Sequence, residues 1–306
     1  MRATYSYRWG SLQKSDHVNK KIRVTFPLAQ AEESLKRRIF NFLNPQSMAY
    51  IQWNIDPEIT NIFGVSLRYY GLLFASGLLL CLFLLKRIFR KEQIESDKLD
   101  TLTIYAVIGI FIGARLGHCL FYDPEYYFSN PLEMLLPVRQ TDDGLEFIGY
   151  QGLASHGGVA GLMIALILYA RSTKESILKT VDLISVVAPL AGFFIRLGNL
   201  MNSEVIGFPT TVPWAFVFVR EDNLPRHPAQ LYEAISYLSI FLFLFFLYSK
   251  YRPRLQNGFF FGVALGLIFI PRFFLEFLKE RQVAFEESMM LDMGQLLSIP
   301  FILLGL

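Results

Sequence analysis

Cysteine and histidine are scarce, since the 306-residue chain has two cysteines and four histidines. Cys81 and Cys119 both lie within long apolar segments, so we expect reduced, apolar side chains and no disulfide framework. The histidines do not cluster in the spacings that bind zinc, so we predict neither a metal nor a cofactor. The apolar segments also contain no serine-nucleophile motif and no paired aspartates, which argues against an intramembrane protease.

Charged residues are few, at 18% of the chain, whereas hydrophobic residues make up 53% and the mean hydropathy is +0.36. Long apolar runs of this kind are typical of helices that cross a bilayer, so we predict an all-α, polytopic membrane protein. The net charge of +3 does not suggest nucleic acid as a partner. About seven transmembrane helices are expected, at residues 70–86, 99–122, 153–170, 180–200, 228–248, 257–278 and 293–306. The last has fourteen residues, fewer than the ~20 needed to cross.

Lysine and arginine are concentrated in alternate connections between these segments, which predicts that those connections are cytoplasmic. They follow the first, third and fifth segments: Lys86, Arg87, Arg90, Lys91 and Lys98; Arg171, Lys174 and Lys179; Lys250, Arg252 and Arg254. The intervening connections have fewer cations and several acidic residues. The chain before the first span is therefore predicted to lie outside and the C-terminus inside.

Residues 1–47 disagree with this orientation, because they hold nine lysines or arginines and three acidic residues on the end that should be translocated. They contain no apolar core of signal-peptide length. We interpret residues 1–47 as a misassigned start or a disordered basic extension ahead of a natural start at Met48. Residues 48–306 are then a single transmembrane domain. The alternative is a basic arm that binds anionic lipid.

Two of the external connections, residues 123–151 and 201–227, are long enough to have structure of their own. Long connections of this kind are usually functional or disordered, and here we expect ordered arms on the outer side. Trp214, Phe216 and Phe218 alternate in the second arm, which also fits an aromatic belt at the membrane surface. Glycines spaced by four predict close helix packing. They occur at Gly109, Gly113 and Gly117, and at Gly258, Gly262 and Gly266.

Side chains that can carry charge interrupt the apolar segments near one face of the predicted bilayer, the outer one. A centrally placed charge costs about 2.5–3.5 kcal/mol on insertion scales, so such a set is expected to be paired or hydrated in a shared site. The alternative is that Arg196 and Arg272 are interfacial arginines whose side chains reach the headgroups independently. The set comprises Arg115, His156, Arg196, Glu233, Arg272 and Glu276.

Two predicted helices begin at the outer side with polar residues. A helix N-terminus has free N–H groups and a partial positive charge, so both are expected to favour an anion in the outer leaflet. One begins at His156, followed by two glycines that let a ligand or another backbone approach. A capping or core histidine is the alternative there. The other begins with His227, Gln230, Tyr232 and Glu233.

The densest polar run follows the fourth predicted span, from Arg196 to Gly207. Within nine residues it contains a cation, the two amides Asn199 and Asn202, and the acid Glu204. Arginine and amide donors are typical of a site for a phosphate head group. A capped helix end followed by a polar turn is the alternative.

This run resembles the signature of bacterial prolipoprotein diacylglyceryl transferases, approximately G-R-x-G-N-F-x-N-x-E-x-x-G. The chain has the pattern at residues 195–207, with Ile195 and Leu200 replacing glycine and phenylalanine at packing positions. Further motifs match: H-G-G at 156–158, H-P-S-Q-L-Y-E at 227–233 with Ala229 for serine, Y-G-L at 70–72, and R-x-x-x-E at 272–276. A tyrosine that family members can carry four residues before the last arginine is Ile268 here. The resemblance extends from about residue 48 to 306.

The resemblance implies transfer of the diacylglyceryl group of phosphatidylglycerol to the lipobox cysteine of a preprolipoprotein signal peptide. Glycerol 1-phosphate would leave, in the first step of lipoprotein maturation. It further implies the bacterial cytoplasmic (inner) membrane, with the active site toward the outer leaflet of the lipid bilayer.

The resemblance also implies roles for individual residues. His156, Arg196 and Arg272 are the candidate catalytic residues, His156 as a base for the thiol and the arginines beside the departing phosphate. The alternative for the thiol is activation by the field of the lipid-phosphate site, without His156. The candidate substrate-binding residues are Tyr70, Arg196, Asn199, Glu204, Gly207 and Glu276. The candidate supporting residues are Arg115, Asn202, His227, Gln230, Tyr232 and Glu233.

A transporter is the competing interpretation, since intramembrane arginine, glutamate and histidine also form ion or proton relays. Transport would require polar residues through the full thickness of the membrane. The inner halves of the first, third and fifth spans are instead rich in leucine, isoleucine and phenylalanine, and Asp182 lies at the inner border. This distribution favours an enzyme.

Overall fold

The structure is a computed structural model, and it describes residues 50–62, 65–122, 124–136, 138–141, 144–147, 154–280 and 289–306. The predicted basic extension, residues 1–47, lies outside the described residues. Within these ranges, helices dominate: α1 Tyr69–Lys91, α2 Ser96–Phe121, α3 Pro124–Ser129, α4 Pro131–Leu135, α5 Ser155–Thr173, α6 Ile177–Asn202, α7 Ala229–Tyr251, α8 Phe259–Glu276 and α9 Met293–Gly305. A 3-10 turn, Arg252–Arg254, directly follows α7.

Five of the described helices are long and apolar enough to cross a membrane, namely α1, α2, α6, α8 and the stretch Ala229–Arg254 that contains α7. Each overlaps one of the predicted spans. The predicted third and seventh spans correspond to α5, with 19 residues, and α9, with 13. The prediction of a mostly helical, polytopic membrane protein is confirmed. The number of crossings and the sides of the two termini stay predictions.

Glycines allow α2 and α5 to pack closely, as their spacing predicted. A Cβ atom on Gly117 would stand 2.7 Å from the Cα atom of Gly157, so side chains do not fit there. The Ala154 N–H donates to the carbonyl of Ala114 over 2.9 Å, which ties the start of α5 to the last turns of α2. In α8, Gly262 and Gly266 lie against Gly305 of α9.

The apolar core lies where α1, α6, α7 and α8 meet. Leu183, Val186, Leu244 and Phe260 are all 0% exposed there. Side chains on the outer surfaces of α2 and α5 are instead apolar and exposed, as a lipid-facing surface requires, because lipid tails offer no polar partners. The four core helices therefore form the frame that positions polar groups at either end.

Short strands were not expected of an all-α fold. Ile51–Trp53 (β1) pairs in parallel with Phe216–Phe218 (β6), and β6 pairs antiparallel with Pro225–Arg226 (β7). Glu58–Ile62 (β2) with Val65–Arg68 (β3), and Val138–Thr141 (β4) with Gly144–Phe147 (β5), form two antiparallel pairs. Both predicted external arms thus contain ordered elements among their described residues.

The three-stranded sheet encloses a small apolar cluster of its own. Phe216 and Phe218 are 7% and 0% exposed and pack with Leu200, at the end of α6, and with Trp53. The alternative interpretation, in which these phenylalanines form a belt at the membrane surface, is therefore wrong for Phe216 and Phe218. Trp214 is different, because it is 56% exposed. The indole N–H of Trp53 donates to the Leu200 carbonyl over 2.9 Å, so the sheet is fixed to the segment that follows Arg196.

Candidate functional site

The candidate site is centred on the last two turns of α6 and the first turns of α7. Arg196 lies on α6, and its Nε atom is 2.7 Å from Oε2 of Glu233 on α7. Its Nη1 group donates to the side-chain oxygen of Asn199, one turn further along α6, over 3.1 Å. The Arg196 Nη2 group has no hydrogen-bond partner among the described residues. This arginine is therefore fixed on one edge and retains donors for a ligand.

Glu233 binds three cations although its side chain is only 2% exposed. Besides Arg196, Nζ of Lys279 lies 2.8 Å from Oε1, and Nη1 of Arg272 lies 3.9 Å from the same oxygen. The Lys279 ammonium also lies 2.8 Å from Oε2 of Glu276. We call these five residues, Arg196, Glu233, Arg272, Glu276 and Lys279, the Arg196 cluster. It contains three cations and two carboxylates, so the cluster itself carries an excess positive charge.

Arg272 is the most accessible cation of this cluster. Its side chain is 28% exposed, against 15% for Arg196 and 5% for Lys279. A narrow crevice between α7 and α8 begins beside Arg272 and is lined mainly by Tyr237, Ile268, Pro271 and Leu275. Arg272 therefore lies at the edge of the cluster, where a ligand can reach its guanidinium group.

A strained turn after α6 positions the next polar groups. Ser203 and Val205 both have φ of +58°, in the left-handed region that a β-branched residue rarely adopts. Conformations of this kind cost about 1–3 kcal/mol, so surrounding contacts must hold the turn. Glu204, between them, accepts hydrogen bonds from the side-chain amides of Asn199 (3.1 Å) and Asn202 (3.0 Å). Glu204 is thus linked to Arg196 through Asn199 and not by direct contact.

Gln230 and Gly207 complete the packing around this turn. Gln230, 0% exposed, donates to the main-chain carbonyl of Glu204 over 2.5 Å. The Gly207 N–H donates to the His227 carbonyl over 3.0 Å. A Cβ atom on Gly207 would lie 2.6 Å from Cβ of His227 and 2.7 Å from the Leu278 carbonyl oxygen. Glycine is needed at residue 207 because three chain segments meet there and leave no room for a side chain. The role of Gly207 in substrate binding stays a prediction.

Tyr70, on the first turn of α1, packs against the middle of the same motif. Its Cδ2 atom is 2.7 Å from the place where a Cβ atom on Gly198 would stand. The absence of a side chain at residue 198 therefore lets the tyrosine ring lie directly on α6, one turn or less from Arg196. The structure brings Tyr70, Asn199 and Glu204 to the same end of the helices as the Arg196 cluster.

His227, Tyr232 and Trp214 form a hydrogen-bonded chain beside the cluster. Nδ1 of His227 is 3.2 Å from the Tyr232 hydroxyl, which accepts a hydrogen bond from the Trp214 indole over 2.8 Å. His227 precedes α7, and burial lowers the pKa of its imidazole, which favours the neutral ring. These residues support the turn around Gly207 and form no ion pair with the cluster.

Arg115 and His156 lie outside the Arg196 cluster. Arg115, 8% exposed on α2, donates to the carbonyls of Met134 (3.1 Å) and Glu133 and lies over the Tyr127 ring, so it anchors the α3–α4 arm. His156 is exposed at the start of α5 and forms no hydrogen bond or ion pair within the described ranges. Residues 92–95 form a short connection that makes α1 and α2 antiparallel, so the end of α2 lies at the same side as Tyr70 at the start of α1. The start of α5 is bonded to the last turns of α2, and His156 therefore lies at that same side.

Glu276 does not pair with the nearest arginine of its own helix. Arg272 and Glu276 are four residues apart on α8, yet no ion pair joins them, although both side chains are described. Glu276 binds Lys279 instead, and its carboxylate packs directly against Gly294 at the start of α9.

Lys279 is a member of the cluster that the sequence analysis did not single out, because it falls just beyond the predicted span 257–278. Its spacing of three from Glu276 was the available signal, since residues three apart in a helical turn lie on one face. Among the described residues, no group of three or more His, Cys, Asp or Glu side chains could hold a metal ion.

Comparison with known proteins gives one consistent result. The sequence model of a family described as prolipoprotein diacylglyceryl transferase matches residues 57–306. Relatives named phosphatidylglycerol–prolipoprotein diacylglyceryl transferase include one from Bacteroides fragilis, 55% identical over 257 residues, which cover 84% of this chain and 93% of the relative. Relatives of the same name from Chloroherpeton thalassium and Tolumonas auensis are each 43% identical, over 84% and 83% of this chain and 92% and 94% of their own lengths.

Proposed function

The chain belongs to the prolipoprotein diacylglyceryl transferase family, and on that premise we propose that it transfers the diacylglyceryl group of phosphatidylglycerol to a cysteine thiol of a preprolipoprotein. The acceptor is the lipobox cysteine of the signal peptide. The thiol sulfur forms a thioether with the glyceryl carbon, the C–O bond to phosphate breaks, and glycerol 1-phosphate leaves. The observation that carries this proposal is the excess of cations in the Arg196 cluster, at the end of the helices where the family motifs converge.

The two arginines are proposed to bind the phosphate of the lipid. The Nε and Nη1 groups of Arg196 contact Glu233 and Asn199, so its Nη2 group is the one that can donate to a ligand. Arg272 has one carboxylate partner, at 3.9 Å, and is the more exposed. Planar guanidinium groups bind phosphate oxygens with two parallel hydrogen bonds, so both arginines have donors of the right chemistry.

This arrangement accelerates the reaction if it binds the transition state more tightly than the ground state. Negative charge on the departing phosphate rises as the C–O bond breaks. Cations already held in place beside that oxygen stabilise the developing charge without reorganising, and such electrostatic stabilisation usually lowers the activation barrier more than any other single effect. Arg196 and Lys279 are held in place by their ion pairs with Glu233.

The thiol must lose a proton, because a cysteine of pKa about 8.5 is mostly protonated at neutral pH. His156 is our candidate acceptor, since its imidazole is exposed at the same end of the helices as the cluster. Tyr70, Asn199, Glu204, Gly207 and Glu276 are proposed to line the lipid site. Arg115, Asn202, His227, Gln230, Tyr232 and Glu233 would support it through the contacts described above.

We further propose the bacterial cytoplasmic membrane as the location, with this site toward the outer leaflet. The support is the concentration of lysine and arginine in the connections at the opposite end of the helices, which cytoplasmic loops typically show. A signal peptide that crosses the membrane would present its lipobox cysteine at the outer side.

A direct assay tests the proposal. The purified full-length protein in detergent is mixed with phosphatidylglycerol and a synthetic lipobox peptide, and the mass added to the peptide thiol is measured together with released glycerol phosphate. We expect a diacylglyceryl thioether and an equal amount of glycerol phosphate. A peptide with serine in place of cysteine, and phosphatidylcholine in place of phosphatidylglycerol, serve as controls. No thioether from the complete mixture would refute the proposed function.

A further inference from the structure

Lys279 is the most buried cation of the Arg196 cluster and the one least able to contact a ligand. Its side chain is 5% exposed, and its ammonium lies 2.8 Å from Glu233 and 2.8 Å from Glu276. A lysine ammonium has three donors and no acceptor; here it donates to the carboxylate of Glu276 on α8 and forms a close ion pair with that of Glu233 on α7. Lys279 therefore joins α7 to the end of α8 by charge.

The main chain fixes the place of this ammonium. Residues 207 and 279 form an antiparallel bridge, flanked by hydrogen bonds from the Phe208 N–H to the Leu278 carbonyl (2.9 Å) and from the Glu280 N–H to the Ile206 carbonyl (3.1 Å). The Arg196–Gly207 motif thus pairs directly with the segment that carries Lys279. The backbone of Lys279 is therefore held in place, and its ammonium lies between the two carboxylates.

The charge on Lys279 also determines what the two carboxylates do. Two carboxylates that share one ammonium would repel each other without it, because like charges this close strongly disfavour joint ionisation. Arg196 already contacts Oε2 of Glu233, so the Oε1 atom released by the ammonium would have Arg272, 3.9 Å away, as its remaining cation. Arg272 is also four residues before Glu276 on α8, on the same face of the helix. An Arg272 bound by two carboxylates would have fewer donors for a phosphate.

We propose that Lys279 is a positioning residue: it binds Glu233 and Glu276 so that Arg196 and Arg272 keep their free donors for the phosphate of the lipid substrate. Lys279 itself does not contact the lipid. The inference rests on the proposed function, because it concerns how the same site binds its anionic substrate.

The test compares three variants with the wild type in the thioether assay, with the concentrations of phosphatidylglycerol and peptide varied separately. Lys279→Gln removes the charge, and we expect kcat/KM for phosphatidylglycerol to fall about 10²-fold, since small displacements of binding groups have effects of that size. The KM for the peptide should not change. Lys279→Arg keeps the charge and should recover most of the loss.

Lys98→Gln is the matched control, because Lys98 also lies 2.8 Å from a carboxylate, that of Glu175, outside the candidate site. It should leave both kinetic constants unchanged. Thermal unfolding of each variant separates positioning from folding, since a folding defect lowers the active fraction without raising KM for the lipid.

Three results would overturn the inference. They are a Lys279→Gln variant with wild-type kcat/KM, a folded Lys279→Arg variant as impaired as Lys279→Gln, and a Lys279→Gln variant that does not fold, which would assign the lysine to structure alone. A wild-type protein that forms no thioether would instead refute the proposed function, so the two failures are distinguishable.

Discussion

Two ionic clusters lie at opposite ends of α6 and α7, and their contrast separates binding from structure. The second, which we call the Arg252 cluster, consists of Glu92, Lys179, Asp182 and Arg252, joined by ion pairs of 3.2–3.6 Å. At 1.5 Å per residue, Arg196 and Lys179 are about 25 Å apart along α6, close to the thickness of a bilayer core.

The Arg252 cluster is balanced and internally satisfied, whereas the Arg196 cluster is not. Two cations face two carboxylates, and Asp182, 0% exposed, also accepts hydrogen bonds from the N–H groups of Gly258 (2.8 Å) and Phe261 (2.9 Å) at the start of α8. Carboxylates at a helix N-terminus are stabilised by its partial positive charge. In the Arg196 cluster, at the other end of α6 and α7, three cations share two carboxylates. Balance indicates a structural clamp, and excess charge with free donors indicates a binding site.

The region between the clusters bears on the transporter alternative. Along α6, the buried residues from Leu183 to Leu190 are apolar except Ser185, whose hydroxyl donates to the Val181 carbonyl of its own helix over 2.7 Å. Within the described residues, these buried positions of α6 therefore offer no continuous polar path from one cluster to the other. A relay through the membrane would need one, so the comparison favours an enzyme with a site at one end.

The largest expected effect comes from Arg196→Ala. Loss of a preorganised donor to a developing oxyanion typically costs about 10²–10³-fold in kcat, and we expect a loss of that size. Thioether formation at saturating phosphatidylglycerol measures it. Arg254→Gln, which removes an exposed cation at the Arg252 end, is the control and should be silent. Unchanged turnover in Arg196→Ala would mean that excess charge does not mark the site.

His156→Gln tests a group that contributes to neither cluster. A general base typically contributes about 10²–10⁴-fold, so turnover should fall by at least about 10²-fold. Binding of phosphatidylglycerol should not change, because the arginines remain. Single-turnover measurements separate the two quantities. A near-normal rate would remove His156 as the proton acceptor and leave the phosphate site intact.

Arg252→Gln should have the opposite signature to Arg196→Ala. Breaking a buried pair and leaving its partner carboxylates uncompensated costs about 3–5 kcal/mol, so the variant should unfold at a clearly lower temperature. The turnover of the protein that remains folded should match the wild type. Thermal unfolding and active-site-normalised rates, measured on one preparation, check both statements. A variant with normal stability and impaired chemistry would reverse the roles assigned to the two clusters.

The smallest effect is expected outside the predicted spans, at Asp222 and Arg226. Burial would raise the pKa of Asp222, but the hydrogen bonds and charge of Arg226, 2.5 Å away, outweigh it and hold the pKa below its usual value. This stabilisation is present above the unfolded pKa of about 3.9 and is lost as the pH falls through the lower folded pKa. Asp222→Asn should therefore cost about 1 kcal/mol at neutral pH and progressively less in acid, measured by thermal unfolding. A pH-independent difference would contradict the assignment.

The long helices were largely predictable because hydrocarbon thickness fixes how many apolar residues a span needs. The predicted span 180–200 lies within Ile177–Asn202, and 70–86 lies within Tyr69–Lys91. The motif from Arg196 to Gly207 was equally visible, since its polar residues are close in sequence. Local patterns were therefore sufficient wherever the relevant contacts are local.

What the sequence analysis missed depends on pairings between distant residues. Strand β1 pairs with β6 across more than 160 positions, and nothing near Ile51 indicates that partner. The choice of Glu276 between Arg272 and Lys279 likewise depends on Glu233, a residue of another helix. The left-handed conformation of Val205 is opposed by its own side chain, so only the surrounding contacts could reveal it.

Retention of phosphatidylglycerol by the purified protein tests the central claim most directly. Native mass spectrometry would compare the wild type with Arg196→Ala/Arg272→Ala and with Arg252→Gln, each given equal amounts of phosphatidylglycerol and phosphatidylcholine. We predict that the wild type and Arg252→Gln retain phosphatidylglycerol in preference to phosphatidylcholine and that the double variant loses this preference. Equal preference in all three proteins would contradict the claim that the excess charge of the Arg196 cluster binds the anionic lipid.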